Sequence, residues 1–254
     1  MKKFSLSLLL LFFVFHAQSQ FLAKEFTDSQ GTKLNYRILY PDNYEEGKKY
    51  PLVLFLHGAG ERGDDNESQL KHGSQVFIDL QKEHPSIIIA PQCPKEGYWA
   101  SGKFSRNKYP LDIDFNYSYE EKEALHAAVE LVKRFVNEKK ADKKRVYITG
   151  LSMGGMGTFE AVGRYPKLFA AAMPICGGGD VNAYGKKQAK IPFWIFHGDV
   201  DGVVPVQNSR DMYNRLQDLG ANVKYTEYPG VNHNSWDNVF VEKGYPQWLF
   251  QFKK

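Results

Sequence analysis

Residues 145–155 read Arg-Val-Tyr-Ile-Thr-Gly-Leu-Ser-Met-Gly-Gly, an apolar strand-like run leading through Gly150-Leu151-Ser152-Met153-Gly154 into a helical pattern. A serine on a tight strand-to-helix turn sits in a strained backbone conformation with its hydroxyl above the sheet edge. The positions two before and two after it must lack side chains for the turn to close. The helix that follows directs its free N–H groups and positive end toward charge developing on a substrate. The bare five-residue pattern arises by chance in roughly one chain of this size in ten. Its place between an apolar strand and a helix start makes Ser152 the candidate nucleophile.

A serine hydroxyl needs a base, and the base needs a fixed tautomer. On such an elbow the partners follow in the order serine, acid, histidine. Downstream of Ser152 the chain has two histidines, His197 in IFHGDVDGVVP and His233 in YPGVNHNSWD. Only His233 has an acid at another strand end between it and Ser152, so it is the candidate general base. The acid is Asp199 or Asp201. A second strand-end segment, His57-Gly58-Ala59-Gly60-Glu61-Arg62-Gly63, lets a backbone approach closely. A tetrahedral intermediate needs two converging N–H donors, and these are assigned to Ala59 and Met153.

Outward from these motifs the chain alternates strands and helices. Tyr50 to Leu56 (YPLVLFL) is apolar throughout, as expected of a strand buried on both faces. Ser86–Ala90, Arg145–Thr149, Phe169–Ile175 and Ile191–Phe196 are similar, and Asn222–Tyr228 alternates. Lys33–Tyr40 follows the turn Asp28-Ser29-Gln30-Gly31 and is expected to pair with residues 22–27. Helices are expected over Ser68–Gln81, Ser118–Lys139 (with Ser118 and Glu121 as a capping box), Met153–Tyr165, Val206–Leu219 and from Ser235 onward. Such alternation predicts an α/β architecture, a mostly parallel central sheet with helices on both faces.

Taken together, HGAGERG with Asn66 and Gln69-Leu70, APQCP with Trp99 nearby, GLSMGG, HGDVDGVVP and GVNHNSWD resemble the α/β-hydrolase superfamily. The likeness is to its carboxylesterase, dienelactone-hydrolase-like and "predicted peptidase" branch, near feruloyl and polyester-depolymerase-type esterases. It runs from Lys33 to the end of the chain. It implies the α/β-hydrolase fold, hydrolysis of carboxylic esters through an acyl-enzyme, and acyl decorations of polysaccharides, feruloyl or acetyl, as substrates. It also places the acid at Asp201 through the pattern H-G-x-x-D-x-x-V-P. Rival readings are a serine peptidase of the prolyl-oligopeptidase-like type and a catalytically silent carbohydrate-binding protein.

The stretch between Ile175 and Ile191 is too short for a cap domain, so an open site is expected. The long excursion, residues 93–117, carries Tyr98, Trp99, Phe104, Tyr109, Phe115 and Tyr117. Trp99, and Trp236 three residues after His233, are candidates for substrate binding through stacking. Neither a metal nor an organic cofactor is expected, since there is no H-E-x-x-H and no paired-cysteine spacing. Nor is a phosphate-binding loop, whose glycine run would end in lysine rather than Met156.

Residues 1–19 read as a signal peptide. Lys2 and Lys3 precede an apolar core of 12 residues, Phe4 to Phe15, and Ala17-Gln18-Ser19 is a small-x-small cleavage site. A membrane anchor would need about 20 apolar residues. Export to the periplasm or medium is therefore expected, with residues 20–254 forming one catalytic domain and no membrane anchor. Loss of Lys2 and Lys3 leaves a net charge of +2, from 31 basic and 29 acidic residues, which argues against nucleic acid as partner. Cys93 and Cys176 follow strands expected to be three steps apart, roughly 14 Å at 4.8 Å per step, and are expected to be free thiols.

Overall fold

The computed structural model describes residues 20–105 and 107–254. The proposed signal peptide lies outside the described residues.

The strands β1 (Leu22–Thr27), β2 (Lys33–Leu39), β3 (Tyr50–Leu56), β4 (Ile87–Pro91), β7 (Ala141–Leu151), β8 (Ala171–Ile175), β9 (Phe193–Gly198) and β10 (Val223–Tyr228) form one sheet. Their spatial order is β1-β2-β4-β3-β7-β8-β9-β10. β2 runs antiparallel to both β1 and β4, and every other neighbouring pair is parallel. The expected pairing of residues 22–27 with the strand after the Asp28–Gly31 turn is present, with Phe26 opposite Leu34.

Alternate residues of the central strands enter two separate cores, as the strand period of two requires. Leu52, Leu54, Leu56, Ile87, Ile89, Val146 and Ile148 face one way and meet α2 (Glu123–Asn137), α3 (Met153–Arg164) and α4 (Gln207–Asp218). Val53, Phe55, Ile88, Tyr147, Met173 and Phe196 face the other way. There they meet α1 (Ser74–Leu80) and the C-terminal segment, which contains α5 (Trp236–Val239). Two covered faces explain why YPLVLFL is buried at every position. β4 and β8 flank β3 and β7, so Cys93 and Cys176 stand three strands apart, and both are free and buried.

Several boundaries differ from expectation for local reasons. The helix expected from Ser118 starts at Glu123, with Lys122 as its uncapped N-cap. The Ser118 hydroxyl donates to Asn116 Oδ1 instead, and Glu121 accepts from the Tyr165 hydroxyl. The helix expected over Ser68–Gln81 is a 3₁₀ turn and then α1, divided at Gly73 with φ +81°. The helix expected from Ser235 stops at Val239, and a 3₁₀ turn over Gln247–Gln251 follows Gly244 at φ +92°. The strand expected from Phe169 begins at Ala171.

The excursion over 93–117 contains a separate antiparallel hairpin, β5 (Gly102–Ser105) and β6 (Asp112–Phe115). Between β8 and β9 lie only two 3₁₀ turns, Val181–Ala183 and Gln188–Lys190, and no cap. Among the described residues no helix is long and apolar enough to cross a membrane.

Candidate active site

β7 ends at Leu151 and α3 begins at Met153, leaving Ser152 on the turn at φ +54°, ψ −117°. This is the strain expected of the elbow. The flanking glycines answer to sterics. A Cβ on Gly150 would lie 2.5 Å from the Gly154 carbonyl oxygen, and one on Gly154 would lie 1.9 Å from the Leu56 carbonyl oxygen. The elbow is therefore pressed against the end of β3, which carries the His57–Gly63 segment.

His233, on the loop between β10 and α5, places Nε2 2.9 Å from Ser152 Oγ. Its Nδ1 lies 2.7 Å from Asp201 Oδ2. Asp201 Oδ1 accepts from the N–H groups of Val203 and Val204 at 2.8 and 2.9 Å. Burial of the Asp201 carboxyl opposes its charge, but donors from His197, His233 and the backbone outweigh that and hold it well below the usual carboxylate range. Asp199 is engaged elsewhere, its Oδ1 accepting from the Gly230 N–H at 2.6 Å.

His197 proves to belong to the same network. It is fully buried, with Nε2 3.1 Å from the same Asp201 Oδ2 and Nδ1 2.7 Å from Ser209 Oγ. Its spacing of four from Asp201 in a tight strand-end loop was the available signal. Cys176, Asp201 and His233 offer atoms within 4.8 Å of one another. As a metal site they are poorly suited. Both Asp201 oxygens already accept two donors each, and burial pushes the Cys176 thiol far up, keeping it protonated.

Ala59 begins a 3₁₀ turn after Gly58, and Met153 begins α3, so neither N–H has a carbonyl of its own helix to bond. Gly58 packs beside the nucleophile: a Cβ there would lie 3.7 Å from Ser152 Cβ. His57 fixes this segment. Its Nδ1 lies 2.6 Å from the Gly58 carbonyl oxygen, and its Nε2 accepts the Cys93 N–H at 2.9 Å. Burial lowers its pKa to about 4, keeping the ring neutral and able to accept that bond.

Gly58, Ala59, Ser152, Met156 and His233 line a pocket of about 280 Å³, with Tyr98, Tyr109, Leu111 and Trp236 as further walls. Trp236 stands edge-on to the His233 ring at 5.4 Å and borders the pocket. Trp99 corrects the expectation. It is wholly buried, donates Nε1–H to the His57 carbonyl oxygen at 3.1 Å, and meets the His57 ring edge-on. It braces the segment behind the pocket and cannot stack on a substrate. Tyr98 and Tyr109 of the same excursion do reach the pocket, whereas Phe104 and Phe115 pack behind Tyr98 and Tyr117 is buried. Glu61, a largely buried carboxylate 3.6 Å from His72 Nε2, also lines the pocket.

Comparison with known proteins agrees with this geometry. Residues 43–243 match the phospholipase/carboxylesterase family. A solved thermostable esterase is 38% identical with a TM-score of 0.83, over 94% of this chain and 64% of its own length. Carboxylesterase SOBER1 of Arabidopsis thaliana is 24% identical over 72% of this chain and 83% of its own. The bifunctional acetylxylan esterase/xylanase XynS20E of Neocallimastix patriciarum is 31% identical over 84% of this chain, which spans only 29% of that larger protein. With its eight-stranded, mostly parallel sheet and its serine elbow, the chain belongs to the phospholipase/carboxylesterase family of α/β-hydrolase-fold serine hydrolases.

Proposed function

We propose that the protein hydrolyses acyl esters carried on polysaccharides, acetyl or feruloyl, through an acyl-enzyme on Ser152. The observation that carries the catalytic part is the unbroken chain from Ser152 Oγ to His233 Nε2 at 2.9 Å and from His233 Nδ1 to Asp201 at 2.7 Å. His233 takes the Ser152 proton as the hydroxyl oxygen attacks the ester carbonyl, and Asp201 holds the ring in the tautomer that leaves Nε2 free to accept. The N–H groups of Ala59 and Met153 receive the oxyanion. His233 then returns the proton to the departing alcohol. Water, activated by the same ring, attacks the acyl-serine, and the carboxylic acid leaves with the serine hydroxyl restored.

The substrate class is supported by three features. The pocket is open because no cap is inserted between β8 and β9, so a polymer can stay outside while one acyl group enters. Tyr98, Tyr109 and Trp236 offer ring faces and edges to a sugar or an aromatic acyl group. Glu61 and His72 give one wall a polar end at which alcohol hydroxyls can bond. An acetylxylan esterase activity in the name of a relative points the same way. Export, proposed from residues 1–19, fits a polymeric substrate outside the cell.

The test is hydrolysis of p-nitrophenyl acetate, acetylated and feruloylated xylo-oligosaccharides and peptides, with fluorophosphonate labelling, before and after Ser152→Ala. The substitution should remove labelling and lower turnover at least about 10³-fold while the protein stays folded. Retained labelling refutes the nucleophile. Turnover of peptides in place of the acylated sugars refutes the substrate class.

A further inference from the structure

The structure assigns a second site, unrelated to the serine chemistry: a structural divalent-cation site formed by Asp28, His126 and Glu130. Asp28 lies on the β1–β2 turn, and His126 and Glu130 stand one turn apart on α2, so the site spans two segments about a hundred residues apart in sequence. One ligand atom from each lies within 4.8 Å of the other two.

Three observations point to a ligand rather than to a solvated charge cluster. First, Asp28 is 7% exposed. Its Oδ1 accepts the N–H groups of Gln30 and Thr32 at 2.9 and 2.8 Å, but among the described residues Oδ2 is buried with no hydrogen-bond partner. A buried carboxylate oxygen without a donor is costly, and a cation removes the cost.

Second, His126 is oriented as a ligand. Its Nδ1 lies 3.3 Å from Glu121 Oε2, and that carboxylate is itself held by the Tyr165 hydroxyl. With the proton on Nδ1, Nε2 presents its lone pair toward Glu130, and it too is buried without a hydrogen-bond partner among the described residues. A carboxylate behind a histidine is the arrangement that fixes metal-binding imidazoles.

Third, the spacing suits an ion. His126 Nε2 lies 3.5 Å from Glu130 Oε1, and a tetrahedral ion with bonds of about 2.1 Å holds its ligands ~3.4 Å apart. Glu130 is anchored by the Ser29 N–H on Oε2 and the Ser29 hydroxyl on Oε1, at 2.9 and 3.0 Å. One imidazole nitrogen with two carboxylate oxygens favours Zn²⁺ or a similar first-row ion over the all-oxygen preference of Ca²⁺ and Mg²⁺. Water would complete the coordination, since His126 and Glu130 retain 20% and 26% side-chain exposure. The ion would clamp the edge hairpin to α2.

The test is zinc uptake by tag-free, chelator-treated protein, followed by equilibrium dialysis, by the absorption of Co²⁺ used as a probe, and by Tm. The native protein should bind one equivalent that His126→Ala and Glu130→Gln each lose, with Tm rising on zinc addition only in the native protein. Glu121→Gln should weaken zinc about 10- to 100-fold through the loss of ring orientation. Hydrolysis of p-nitrophenyl acetate, the control for folding, should persist in all three variants. Absence of saturable uptake overturns the assignment, as does an equivalent retained in both His126→Ala and Glu130→Gln. A Tm indifferent to zinc in the native protein overturns it as well, reducing the cluster to an ion pair.

Discussion

Replacing Asp201 by Asn separates the two aspartates of HGDVDGVVP, and the structure dictates which way the new amide must turn. Asp201 Oδ1 faces the Val203 and Val204 N–H groups, while Oδ2 faces His233 Nδ1 and His197 Nε2. An asparagine that kept its oxygen on the two backbone donors would present its NH₂ to His233. The alternative turn leaves two N–H groups without acceptors, at about 1–3 kcal/mol each where they are buried, so the first orientation prevails. The NH₂ then donates to Nδ1, the ring proton moves to Nε2, and the base points a proton rather than a lone pair at Ser152. That wrong tautomer lowers turnover by about 10⁴, or about 5 kcal/mol of transition-state stabilisation.

Asp199→Asn keeps the oxygen that accepts from Gly230, so its cost should stay within about tenfold. The assay is steady-state hydrolysis of p-nitrophenyl acetate, with circular dichroism as the control for folding. Asp201→Asn turnover within tenfold of the unsubstituted protein, or the larger loss in Asp199→Asn, would refute the assignment of the acid.

Two further outcomes are expected. His57 is neutral in the fold, with a pKa lowered to about 4 by burial, whereas in the unfolded chain it titrates near 6.5. Below 6.5 the unfolded state therefore binds the extra proton, and stability that is complete above pH 6.5 should fall by about 3 kcal/mol as the pH drops to 4. Urea midpoints across that range should show the slope, and His57→Gln should flatten it; an unchanged slope in the variant would exclude His57 as its source. Cys93 and Cys176 are both free and buried, with the Cys93 thiol pushed up to about 12 by burial. Ellman titration without reductant should find neither thiol reactive in native protein and both reactive in urea, and a missing pair in urea would reveal a disulfide.

The sequence carried the catalytic order because that order depends on local motifs at strand ends. Gly150, Ser152 and Gly154 identify the elbow through sterics that act within five residues, and the YPLVLFL run signals burial on both faces. What stayed hidden needed partners distant in the chain. Ser118 and Glu121 match a capping box, but Asn116 and Tyr165 capture them first. Trp99 has the surface of a stacking residue, and only the position of the His57 carbonyl reveals it as a buried brace. His197 stands four residues before Asp201 in the same strand-end loop, and the turn after β9 folds back to bring the two side chains together. Glu61 carried no signal beyond its place in the glycine-rich segment.

The attachment of the β5–β6 excursion to the rest of the molecule bears on how this enzyme can change over time. The Leu111 N–H donates to the Val203 carbonyl at 2.8 Å, and the Val203 N–H donates in turn to Asp201 Oδ1. One residue thus holds the pocket wall with one end and the acid with the other. Selectivity and turnover are therefore not independently adjustable along this segment. Insertions or exchanges around Leu111 that admit a new acyl group will tug on the Asp201 carboxylate. Variants selected there for altered preference should carry a turnover deficit that compensating changes at 202–205 can relieve. Trp236 is tied in as well, since it meets the His233 ring edge-on and the loop before it accepts the Gly202 N–H on Asn232 Oδ1 at 2.8 Å, so exchanges there will also be felt by the triad.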